Sequence, residues 1–149
     1  ALLKDKIDII ATDHAPHTWE EKNQSYSDAP AGLPLVQHGM QILMDFYHQD
    51  ILSLETIVQK TSHNVAKRFQ IKDRGYIREG YFADLAILDI DNPYTVSNDN
   101  ILYKCGWSPF NGHTFQSSIF MTIVNGNVAF KDGKVEETLP NGMQIEFDR

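Results

Sequence analysis

The segment Ile7–Lys22 reads IDIIATDHAPHTWEEK, an apolar run that stops at an acid and two histidines. Ile7, Ile9, Ile10 and Ala11 are interrupted only by the charge of Asp8, the pattern of a strand buried on both faces. Pro16 blocks helix continuation through the histidine pair, so Asp13, His14 and His17 are expected on a loop leaving that strand's C-terminal end. Thr18 and Glu21 then form a T-x-x-E capping box, which predicts a short helix from Trp19. Glu20 and Glu21 read as helix-start charges rather than catalytic acids.

Loops at the C-terminal ends of barrel strands carry the chemistry of barrel enzymes. A carboxylate can bind a metal or move a proton, and a neutral imidazole can bind a metal or hold a carboxylate, so Asp13 and His17 make half of a site. A catalytic zinc needs three protein ligands. This chain has no H-x-H, no H-E-x-x-H and one cysteine, Cys105, so the remaining ligands would lie elsewhere. The competing reading makes Asp13 a turn cap and the histidines solvated loop residues.

The run ATDHAPHTWEEK resembles the second signature of the dihydroorotases, cyclic amidohydrolases in which an aspartate at the end of strand eight is followed by H-A-P-H and a T-x-E-E-K helix start. Hydantoinases, dihydropyrimidinases and allantoinases share the strand and the aspartate but usually lack the second histidine in this form, so His17 is the discriminating residue. The resemblance implies that Asp13 is both a metal ligand and the general base that takes a proton from the bridging hydroxide. It implies that His17 hydrogen-bonds the substrate carboxylate, helped by backbone amides of a Pro-x-Gly turn. Pro30-Ala31-Gly32 stands at the matching place, making Ala31 and Gly32 the candidate substrate-binding pair. The plain reading of the same three residues is a loop.

Of the 149 residues 42% are hydrophobic and 22% charged, a globular composition and not a disordered one. A (β/α)8 barrel needs about 250 residues. The fold class the resemblance implies is α/β, and at this length only the C-terminal part of a TIM-barrel metal-dependent hydrolase plus strands of a small β-sandwich. Residues 1–72 would hold the last barrel strand and closing helices, and residues 73–149 the sandwich strands. The chain reads as the C-terminal piece of a longer protein. The family's H-x-H, bridging carboxylated lysine and two further histidines lie outside it, so the isolated chain is expected to be inactive. The cofactor implied is Zn2+, binuclear in the intact enzyme. The implied partners are dihydroorotate or N-carbamoyl-L-aspartate, the N-terminal barrel portion, and a homodimer mate or aspartate transcarbamoylase. A net charge of −7 offers no basic face to nucleic acid or an anionic membrane. One cysteine makes no internal disulfide, which fits a cytoplasmic protein. The alternatives are a hydantoinase or dihydropyrimidinase, and a non-catalytic scaffold for aspartate transcarbamoylase.

Downstream, LPLVQHGMQILMDFYHQD places Val36, Met40, Leu43 and Tyr47 at helical spacing, with His38 and His48 as packed or solvated helix residues. Met40 and Met44 read as core filler. Ser53 and Ser62 read as N-caps of two successive short helices, LETIVQK and NVAKRF. The form G-x-I-x-x-G-x-x-A-D-L from Gly75 is similar to a signature shared by the whole amidohydrolase superfamily, with Asp84 as a structural carboxylate. Strands are expected at Leu85–Leu88, Tyr94–Val96, SIFMTIV, NVAFK and MQIEF, the last after a Pro140-Asn141-Gly142 turn. Asn125-Gly126 is the strongest hairpin signal among them, and Asp132-Gly133 follows it. His113, in SPFNGHTFQ, is expected to be structural.

Overall fold

Local chemistry accounts for most of the elements in the computed structural model, which describes residues 1–136 and 142–148. Helix α1, Trp19–Lys22, begins at the capping box: the Thr18 amide donates to Glu21 Oε2 at 2.8 Å and the Glu21 amide to Thr18 Oγ1 at 3.3 Å. A 3-10 turn at Val36–His38 leads into α2, Gly39–His48, whose inner face buries Gln41, Leu43 and Met44. Ser53 caps α3, Leu54–Val58, by accepting the Thr56 amide. The chain does not then break for a second cap at Ser62. A π-helical turn, Gln59–His63, runs straight into α4, Asn64–Phe69, with no side-chain cap at the junction. Strands follow at β1 (Leu85–Asp89), β2 (Tyr94–Thr95), β3 (Thr114–Phe115), β4 (Ser118–Val124), β5 (Asn127–Lys131) and β6 (Lys134–Val135). The protein is thus a mixed α/β chain.

Its contacts group into two units. The first comprises Ala1–Ile10, Gln49–Asp89 and, from Ile119, the described remainder of the chain. Here β1, β4, β5 and β6 lie in that order in one sheet. Asn125 at φ 51° and Gly126 at φ 82° make the two-residue turn that pairs β4 with β5 antiparallel, Val124 opposite Asn127. Both residues lie in the left-handed region, as a type I′ hairpin requires. Asp84 is structural as expected: it accepts the Asn125 amide at 2.8 Å and pairs with the Arg74 guanidinium, which rests 4.1 Å from the Phe82 ring centre. MQIEF, by contrast, forms no strand; Phe147 bridges Ile71, Lys72 N–H donates to Glu146 O and its ammonium pairs with the Glu146 carboxylate at 3.3 Å, and just beyond it Asp148 N–H donates to Gln70 O. The residues Pro140 and Asn141 of the turn proposed before it lie outside the described residues.

The expected strand at Ile7–Ala11 is also absent from the described residues. A strand forms only where a neighbour exchanges its N–H and C=O groups, and over residues 7–10 those groups go to the helical run instead. Lys60 Nζ donates to Ile7 O at 2.7 Å, Asn64 Nδ2 to Asp8 O at 2.7 Å, and Ile10 N–H to Lys60 O at 3.1 Å. Lys60 sits in the π turn and is 2% exposed, its ammonium also paired with the Asp5 carboxylate. A buried ammonium is tolerated only when paired and hydrogen-bonded in this way.

The second unit comprises Ala11–His48 and Ile90–Ser118. Strands β2 and β3 pair antiparallel with Tyr94 opposite Phe115. Asp45 of α2 accepts the Gln116 amide at 3.0 Å and lies 3.4 Å from His113 Nε2, while the His113 ring meets Phe115 edge-on at 4.6 Å. His48 Nε2 lies 2.9 Å from the Oγ of the fully buried Ser117. His38 is wholly buried, ringed by Tyr94, Tyr103, Phe110 and Phe115, and neither ring nitrogen has a partner among the described residues. Burial pushes its pKa from 6.5 down to about 4, so it is a neutral core residue.

Candidate active site

Asp13 opens the loop at φ 46°, in the left-handed region that non-glycine residues rarely adopt and that Asp tolerates better than most. Such strain collects at functional sites because the surroundings must hold it. The Asp13 side chain is exposed and makes no hydrogen bond or ion pair among the described residues. No group of three or more His, Cys, Asp or Glu among those residues could hold a metal. The donor set of this chain therefore does not by itself fit a metal ion; Asp13 can offer one carboxylate to a site completed by other ligands.

Two segments far apart in sequence meet beside Asp13. His14 forms a parallel bridge with Leu33, and the Ala15 amide donates to Leu33 O at 3.0 Å. Gly32 makes this approach possible: at φ 101° it takes a backbone shape that side chains resist, and a methyl there would come within 3.0 Å of Ala15 Cβ. Lys22, in the last turn of α1, donates to Pro30 O at 2.6 Å and ties the helix to the same turn. Among the described residues the Ala31 and Gly32 amides make no hydrogen bond, which leaves two donors available on the turn.

His17 is half-buried, with Nδ1 3.7 Å from Glu21 Oε2 one helical turn on. Its carbonyl accepts the Trp107 indole N–H at 2.9 Å, and Trp107 meets Trp19 edge-on at 5.7 Å. His14 is not a free loop residue. Its Nδ1 accepts the amides of Leu35 and Val36 at 3.1 and 3.2 Å, and its ring lies 5.4 Å from that of Tyr103, whose hydroxyl donates to Pro34 O at 3.1 Å. Burial pushes the Tyr103 phenol above its ordinary pKa, keeping it a donor. The structure thus joins the loop around His14–Ala15 to the turn around Gly32–Leu33. Trp107, Tyr103, Lys22 and the capping role of His14 escape a reading by motif. Only the adjacency of His14 to Asp13 and of Trp107 to SPFNG hinted at them.

The chemical groups this loop and turn present are one exposed carboxylate, one half-buried imidazole and two backbone N–H donors. Four likenesses bear on this. A model described as the amidohydrolase family matches residues 37–130. The chain is 37% identical over 131 residues to the dihydroorotase of Pyrococcus abyssi, covering 88% of this chain and 31% of that protein. It is 35% identical over 144 residues to the dihydroorotase of Methanothermobacter thermautotrophicus, covering 97% and 33%. Its fold matches the solved L-hydantoinase (dihydropyrimidinase) of Arthrobacter aurescens with a TM-score of 0.81 at 27% identity, covering 91% of this chain and 31% of that one. The chain spans about a third of the length of the curated relatives it matches. With the family model covering well over half of the residues, this chain belongs to the amidohydrolase family.

Proposed function

We propose that the chain is the C-terminal part of a dihydroorotase, which interconverts dihydroorotate and N-carbamoyl-L-aspartate in pyrimidine biosynthesis. The observation that carries this reading is the seating of Ala15 on Gly32, which brings the His17 loop against a turn with two unpaired amides. A ring bearing a carboxylate has a use for that arrangement; a bare ring does not. In the hydrolytic direction His17 and the Ala31 and Gly32 amides hold the substrate carboxylate. Asp13 takes a proton from the attacking water as the C–O bond forms at the ring amide carbon. It returns that proton to the ring nitrogen as the C–N bond breaks.

Zinc, when bound, would polarise the amide carbonyl and acidify the attacking water, with Asp13 as one donor among ligands from other parts of the protein. Residues 1–72 would then belong to the barrel and residues 73–149 to a β-sandwich. The intact protein would work in the cytoplasm, as a homodimer or with aspartate transcarbamoylase. The likeness to L-hydantoinase favours a second reading, a cyclic amidohydrolase acting on rings without the carboxylate. Assaying the full-length protein on dihydroorotate and dihydrouracil separates the two. Preferential opening of dihydroorotate, with a KM raised by His17→Ala, supports the proposal; preference for dihydrouracil refutes it.

A further inference from the structure

We infer that His14 is a positioning residue whose Nδ1 sets the spacing between the Asp13–His17 loop and the Pro30–Gly32 turn. The first amides of a helix have no partner within it, and an N-cap side chain ordinarily supplies one. Leu35, at the N-cap of the helical run from Val36, has no side chain able to do so. His14 supplies the acceptor from 21 residues upstream, taking both the Leu35 and the Val36 amide on one nitrogen. A nitrogen that accepts carries no proton, so the ring proton sits on Nε2.

The ring itself is held by Tyr103, which is in turn anchored through its hydroxyl to Pro34 O. Together with the His14–Leu33 bridge and the Ala15–Leu33 bond, these ties join residues 14–15 to residues 33–36, beside the Ala15–Gly32 contact. Asp13 and His17 flank one end of that clasp, and Ala31 and Gly32 flank the other. If the acceptor is lost the clasp opens, and the imidazole and the two amides no longer meet one carboxylate. His14 itself touches no reacting atom in this scheme.

The kinetic consequence rests on the proposed function; the structural one does not. Asparagine places its carbonyl oxygen the same number of bonds from Cα as histidine places Nδ1. Glutamine places its oxygen one carbon further, nearer the Nε2 position. The test uses the full-length protein with H14N, H14Q and H14A, each measured by thermal melting and by steady-state kinetics on dihydroorotate. H14N, which keeps the acceptor but loses the ring's contact with Tyr103, is expected to melt above H14Q and H14A and to keep KM within about threefold, whereas H14Q and H14A raise KM about tenfold with kcat little changed. Equal behaviour of H14N and H14Q overturns the inference, as does a fall in kcat at constant KM, which would place His14 at the chemistry. Should H14Q and H14A fail to fold, H14N decides: a folded protein with KM within about threefold of wild type supports the acceptor role, and a larger rise in KM or a failure to fold refutes it. A wild-type protein inert on dihydroorotate would sink the proposed function, yet the melting order would still decide the role of His14.

Discussion

Replacing Gly32 with alanine tests the site at its tightest point. The new methyl would come within 3.0 Å of Ala15 Cβ, closer than real Cβ atoms approach, so the turn and the loop must part. The separation required is on the order of 1 Å, a displacement that can cost up to a hundredfold when it falls on a positioning contact. The backbone adds a separate cost, because φ 101° at Gly32 is unfavourable to any L side chain, by about 1–3 kcal/mol. Gly112 separates the two effects: its φ is 83° and nothing lies within 4 Å of its missing Cβ. G112A in the full-length protein should therefore lower Tm while leaving KM for dihydroorotate alone. G32A should lower Tm further and raise KM about ten- to a hundredfold with a smaller change in kcat. Initial-rate kinetics and thermal melting of the two variants in parallel measure this. If G32A leaves KM within twofold of wild type, or if G112A raises it equally, the turn does not form part of the carboxylate site.

Asp13→Asn should abolish turnover while leaving Tm near wild type, since the carboxylate has no partner among the described residues to lose; activity above a few per cent would remove Asp13 from proton transfer. Trp107→Phe keeps an aromatic, smaller ring but loses the indole bond to His17 O, worth about 1 kcal/mol, and should raise KM several-fold; an unchanged KM would show that His17 is held without it. His38 gives a pH signature. Above pH 6.5 the ring is neutral folded or unfolded, but between pH 6.5 and about 4 only the unfolded chain takes up the proton, so stability falls with acidification. The loss is about 1.4 kcal/mol per pH unit and about 3 kcal/mol in all. The Tm of wild type should thus drop faster than that of His38→Phe from pH 7 to 4.5; parallel curves would contradict the burial account.

Elements whose bonds close within a few residues were legible in the sequence. Thr18 and Glu21 cap α1 as their spacing requires, Ser53 caps α3, and Asn125-Gly126 and Asp132-Gly133 turn the hairpins of β4, β5 and β6. The candidate site could be proposed from the sequence as residue types, Asp13 and His17 from the chemistry of their side chains and the Pro-x-Gly turn from the family resemblance. Only the tertiary structure decided where unpaired groups find partners. Residues 7–10 look like a strand but bond to Lys60 and Asn64, and MQIEF looks like a strand but offers one bridge. Ser62 looks like a cap but lies within a continuous helical run. Nothing near His14 announces that its nitrogen will serve two amides 21 and 22 residues away. Periodicity and capping are properties of neighbours along the chain, whereas the destination of a strand's hydrogen bonds or an imidazole's lone pair depends on what folding places beside it.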